Sequence, residues 1–101
     1  MTKTNDAGEL QQSVEDTLKQ RGRRYGKFKN HAVLSKRLRE AFFTHQKIFG
    51  ITALEPYQEE AIIMVCHKLA RIANGSPDYD DSWRDIAGYT QLVVDELEKK
   101  K

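Results

Sequence analysis

The stretch that decides the fold is PYQEEAIIMVCHKLARIAN, residues 56–74, together with the break NGSPD at 74–78 and the run DDSWRDIAGYTQLVVDEL at 80–97. Pro56 suits the first turn of a helix, where a backbone N–H would have no partner. From there Ile62, Val65, Cys66, Leu69, Ile72 and Ala73 recur at three- and four-residue steps, which predicts a helix to about Asn74 with that stripe as its core face. The glycine, serine and proline that follow are a chain break. Asp80, Asp81 or Ser82 is expected to cap the next helix, and acidic residues in its first turn suit the helix dipole. Trp83, Ile86, Thr90, Val93, Val94 and Leu97 make the stripe expected to be buried there. So short a connection predicts an antiparallel hairpin.

Working outward, Leu34, Leu38, Ala41, His45 and Ile48 predict a helix over roughly His31–Phe49, with Phe42 and Phe49 at the edge of the stripe and Gly50 at its end. Leu10, Val14 and Leu18 mark another from about Glu9 to Arg21, with Gly22 as a plausible stop. Between these, Arg21 to Asn30 has two glycines and no helical period. It reads as an ordered loop anchored by Tyr25 and Phe28. No segment alternates with a period of two. The expected architecture is all-α: a four-helix bundle-like single domain over residues 9–98, preceded by a polar, flexible N-terminus at 1–8.

At 101 residues, with 39% hydrophobic and 32% charged residues, one modest core is possible and much of each helix must meet water or a partner. Domains of this size bury only about 60–70% of their unfolded surface, so a homo-oligomer is expected. The single cysteine, Cys66, cannot form an internal disulfide, and no apolar leader opens the chain. The longest apolar run, Ala61 to Cys66, falls well short of the ~20 residues that span a bilayer. These features point to the cytoplasm and away from a membrane.

The net charge of +2 hides an asymmetry. Residues 1–50 hold eleven Lys and Arg against five acids, residues 51–101 six against ten, and from Lys19 to Arg39 there are nine basic residues and no acid. Such a block draws phosphates or acidic surfaces; alternatively it meets the acidic half of its own fold or of a sister subunit. General DNA binding is disfavoured by the small net charge and by the lack of a recognition-helix signature.

Three constellations could carry chemistry. The first is Arg21, Arg23, Arg24, Tyr25 and Lys27, with Lys29 beyond and Gly22 and Gly26 between. Guanidinium forks match phosphate oxygens, glycines admit backbone N–H groups, and tyrosine can stack on a base. His31 follows at a helix N-terminus. The plainer alternative has Tyr25 and Phe28 plugging the bundle end while the arginines stay solvated. The second is the row Glu60, His67, Arg71 and Asn74, opposite the apolar stripe, with Lys68 at its flank. Such rows are commonly a wet face, yet Ile63 and Met64 fall beside this one, which implies a second contact surface. The third is Asp81 and Asp85, which with Glu60 or Glu59 could share a divalent cation. The plainer reading has Asp85 paired with a base such as Arg71, Lys68 or Arg84. Cys66 reads as a packed residue. His45, on an apolar stripe, reads as a satisfied core or interface histidine, and the three histidines have no metal-ligand spacing.

Two blocks are familiar in combination: LKQRGRRYGKFKNHA at 18–32, and HKLARIANG at 67–75 followed by DSWRDIAGY at 81–89. They resemble a family of small proteins of tailed bacteriophages and prophages known as a domain of unknown function, over roughly residues 14–97. The resemblance implies a phage origin and a bacterial cytoplasm, and brings no activity with it. More distantly the layout looks like the all-α nucleoside triphosphate pyrophosphohydrolases of the MazG type, which hold magnesium with Glu-x-x-Glu and Glu-x-x-Asp pairs. Here Ile63 stands three places after Glu60, and Ser82 three before Asp85, where that pattern wants carboxylates.

Three readings follow. The leading one is non-catalytic binding of a nucleotide-type, phosphate-bearing anion, with no cofactor. Arg21, Arg23, Arg24 and Lys27 would hold phosphates, Tyr25 would stack, and His67, Lys68 and Arg71 would complete the site, in a role such as sequestration during host takeover or counter-defence. The second is magnesium-dependent nucleotide hydrolysis through Glu60, Asp81 and Asp85. The third is a protein–protein inhibitor whose basic half meets an acidic host protein.

Overall fold

A computed structural model describes the backbone of residues 3–101 and side chains from Ser13 onward. The expectation of a flexible start therefore lies, for residues 1 and 2, outside the described residues, as does the side chain of Leu10. The fold is all-α: α1 (Lys3–Tyr25), α2 (Phe28–Phe49), α3 (Pro56–Asn74) and α4 (Asp80–Lys99). Among the described residues no helix is long and apolar enough to cross a membrane.

α3 begins as its sequence demands. Pro56 occupies the first turn, and Glu55 and Gln58 close a reciprocal capping box, with the Glu55 backbone N–H donating to Gln58 Oε1 at 2.9 Å. The other helix ends correct four expectations. Gly22 does not stop α1; a Cβ there would meet open space, and the helix runs on to Tyr25. A mid-helix glycine costs only about 1 kcal/mol, which neighbouring arginines and glutamine tolerate. The residue that ends the helix is Gly26, at φ +75°, a left-handed conformation that glycine enters without penalty. The expected loop over 21–30 thus shrinks to Gly26 and Lys27, and α2 starts at Phe28. Phe28 itself is 76% exposed, its ring 5.7 Å from that of His31, and does not plug the bundle end. At α4, Tyr79 takes the cap position without a side-chain hydrogen bond, while Asp80 and Asp81 lie in the first turn and Asp80 pairs with Arg84 at 2.8 Å.

α3 is the hub. It packs on α2 and on α4, and among the described residues those two share no contact, while α1 touches α2 and α3 only near its C-terminal end. The seams run along different sides of α3. Ala61 and Lys68 meet α4, whereas His67 and Ala70 face α2, nearly half a turn around the axis. α3 and α4 form the expected antiparallel hairpin, tied near its open end by Lys100 and Glu55 at 2.6 Å.

Small residues make the seams. Among the described residues the buried apolar ones are Ala61, Cys66 and Ala70, joined by Ser35, Ser82, His31 and Lys68, and no large apolar side chain is fully buried. Cys66 is packed as expected, and burial pushes its thiol up. Ile63 and Met64 are half-buried, so part of the contact surface they signalled is the one with α2. The α4 stripe divides. Ser82, Ile86, Tyr89 and Val93 turn inward, while Trp83, Thr90, Val94 and Leu97, expected in the core, are exposed, as are Leu69, Ala73 and His45. The chain is extended, 60 × 30 × 24 Å, with a radius of gyration of 18.0 Å against about 13 Å for a compact domain of this length.

Candidate functional site

The end of α1, the start of α2 and the end of α3 meet at one junction, built on backbone. Asn74, the last residue of α3, donates from Nδ2 to the carbonyls of Tyr25 at 2.8 Å and Lys27 at 3.1 Å, and the Ser76 N–H donates to the Arg24 carbonyl at 2.7 Å. Gly75 makes the approach possible, because a Cβ there would fall on the Arg24 carbonyl and the Tyr25 Cα. This clamp turns Arg24 and Tyr25 inward.

Each inward side chain is held by one from elsewhere in the chain. The Arg71 guanidinium lies 4.3 Å from the centroid of the Tyr25 ring. Arg24 lies 4.3 Å from that of Tyr79 and donates to its hydroxyl at 2.7 Å. The two tyrosines meet edge to face at 6.0 Å, and the Tyr79 hydroxyl donates to Asp81 at 3.3 Å. One turn into α3 from Arg71, the His67 ring packs edge-on against His31 at 4.4 Å. Lys68, almost wholly buried, pairs with Asp85 at 2.9 Å.

Of the proposed ligand residues, folding therefore gathers Arg24, Tyr25, His67, Lys68 and Arg71. Arg21, Arg23 and Lys27 are exposed around them. Two details differ from expectation: Tyr25 offers its face to Arg71 rather than to a free base, and Lys68 already has a carboxylate partner. The carboxylates of the hydrolytic reading are not brought together. Glu60 lies with Tyr89, Leu92 and Glu96 towards the other end of the hairpin, about 12 Å along α3 from the level of Asp85. Among the described residues no cluster of three or more potential ligands could hold a metal ion.

His31, Asn74 and Tyr79 complete the junction; sequence reasoning set His31 beside the first constellation and Asn74 in the second, and gave Tyr79 no role. Asn74 also read as the end of its helix, and Tyr79 fell between the break at 74–78 and the helix expected from Asp80. Nothing local signals that each reaches a chain segment about fifty residues away.

The electrostatics are one-sided. Burial, then His31, then Arg71 and Lys68 push the His67 imidazole down to about 4, and burial followed by Arg71 lowers His31 as well. Both rings are neutral at pH 7. Two polar atoms one turn apart on α2, His31 Nε2 and Ser35 Oγ, are buried without hydrogen-bond partners. A pH dependence follows. The native state disfavours protonated His67, while the unfolded chain takes up the proton near the ordinary 6.5. Stability should be undiminished above pH 6.5, fall as the pH drops from 6.5 towards 4, and level off below. Chemical denaturation at several pH values with an NMR titration of His67 checks this; a ring titrating near 6.5 with flat stability through that window contradicts it.

Nothing among curated proteins or solved structures matches this chain. A family model does, over residues 9–96, which is most of the sequence. The chain belongs to the family described as Domain of unknown function (DUF6378).

Proposed function

We propose that the protein binds a phosphate-bearing, nucleotide-type anion at this junction and does not turn it over. The observation that supports it is the gathering of Arg24, Arg71, His31 and His67 where, among the described residues, neither guanidinium meets a carboxylate and both are held instead against tyrosine rings. Guanidinium groups fixed on aromatic faces keep their N–H forks available, and the forks match phosphate oxygens bidentately. Exposed Arg21, Arg23 and Lys27 add a field that steers anions inward. The resemblance to phage proteins supports a place in the bacterial cytoplasm, where holding a signalling nucleotide would serve a phage against its host.

Titration calorimetry at low salt, with inorganic phosphate and mono-, di- and cyclic nucleotides, tests the reading. A nucleotide should bind, and Arg71→Ala should weaken it about tenfold to a hundredfold, the value of one charge-assisted hydrogen-bonded contact. Arg21→Ala should change it far less. Absence of binding across the panel removes the proposal.

A further inference from the structure

The uncovered apolar residues are not scattered. On α4, Trp83, Ala87, Thr90, Val94 and Leu97 recur at steps of four and three, the spacing of a helix–helix seam, yet this stripe stands about 100° away from the one packed on α3. Trp83 is 51% exposed, Val94 45% and Leu97 40%. On α3, Ile62, Leu69 and Ala73 lie between the two seams, and Leu69 and Ala73 are exposed. On α2, Leu34, Ala41 and Ile48 flank the seam in the same way. Following the helical rotation through three antiparallel neighbours puts all three stripes on one side of the α2–α3–α4 layer, opposite Arg71 and Asp85. These stripes contain no lysine, arginine or carboxylate.

The face carries the large exposed side chains of Ile48, Leu69, Trp83, Val94 and Leu97. A chain whose described residues fully bury no large apolar side chain needs a partner present whenever it folds, and its own copy meets that condition. An uncharged face can meet itself without repulsion.

We propose that this apolar face is the interface with a second copy of the chain, packed layer on layer with the same face of its partner. The hydrophobic core of the protein is then formed between two copies, not within one. The proposal is independent of anion binding, which concerns the other side of the layer.

Sedimentation equilibrium over a hundredfold range of concentration tests it. The protein should be dimeric, with a melting temperature that rises with concentration and Trp83 emission that shifts to the red on dilution. Leu69→Ala with Val94→Ala removes buried apolar volume from both sides of the interface and should weaken the dimer at least about tenfold. Leu92→Gln, an exposed apolar residue on the opposite side of α4, should leave it unchanged. Alanine variants are chosen because Leu69→Glu would unfold a chain that depends on association. A helical monomer throughout the range overturns the proposal, as does a dimer indifferent to the alanine pair.

Discussion

Gly75→Ala should unseat α1 and lower the melting temperature by more than about 10 °C, since overpacking against immovable atoms costs about 3 kcal/mol and each kcal/mol shifts a domain of this length by roughly 4–8 °C. The reason is where the added methyl would go. It would meet the Arg24 carbonyl and the Tyr25 Cα, which are backbone and cannot rotate away. The Ser76 N–H to Arg24 bond and both Asn74 bonds depend on the same approach. Thermal melts followed by circular dichroism measure the loss, and amide exchange at Ser76 reports the docking itself. Gly22→Ala is the control: its Cβ meets nothing, and alanine is the better helix former, so stability should rise slightly. Equal melting temperatures for the two variants would show that close backbone approach is not what docks α1.

The second large effect concerns Lys68 and Asp85. The Lys68 side chain is 10% exposed and that of Asp85 48%. Asp85→Ala leaves an ammonium caught between α3 and α4 without its partner and should cost about 2 kcal/mol, less than for a pair buried on both sides because solvent screens half of it. Lys68→Met removes the buried charge and keeps an apolar stem, so it should be close to neutral, and the double variant should recover most of what Asp85→Ala loses. Urea denaturation of the four proteins closes the cycle. A Lys68→Met variant as unstable as Asp85→Ala would mean that the ammonium stabilises the fold in its own right.

Much of the local structure was legible because it depends on neighbours in sequence. Pro56 and the NGSPD break place α3 and the turn after it from short-range chemistry alone. The choice between Gly22 and Gly26 was harder, as both follow good helix formers. Gly26 ends α1 because Asn74, forty-eight positions later, holds the Tyr25 and Lys27 carbonyls in the geometry of a turn. The basic and aromatic residues of the junction stood out by composition, but their partners did not. Arg71 on Tyr25 and Arg24 on Tyr79 are pairings between helix ends that no periodicity encodes.

The stripes of α3 and α4 show the same division. Periodicity identified which residues are apolar, and those residues do form stripes. It could not say which stripe the chain covers itself, because the hydrophobic effect has no direction and one apolar row resembles another. The choice fell to shape. Ala61, Ala70 and Ser82 let backbones approach closely, so the tight seams formed there, and Trp83, Leu69 and Val94 were left on the open side.

Four helices, their order, the hairpin and the basic character of the first half follow from residue types and spacing, since helix formation and charge are local properties. Which helix lies at the centre, which cations converge and which apolar face stays uncovered were decided only by tertiary structure. Each depends on fitting together surfaces far apart in the chain, and that fit is a property of volumes and backbone distances.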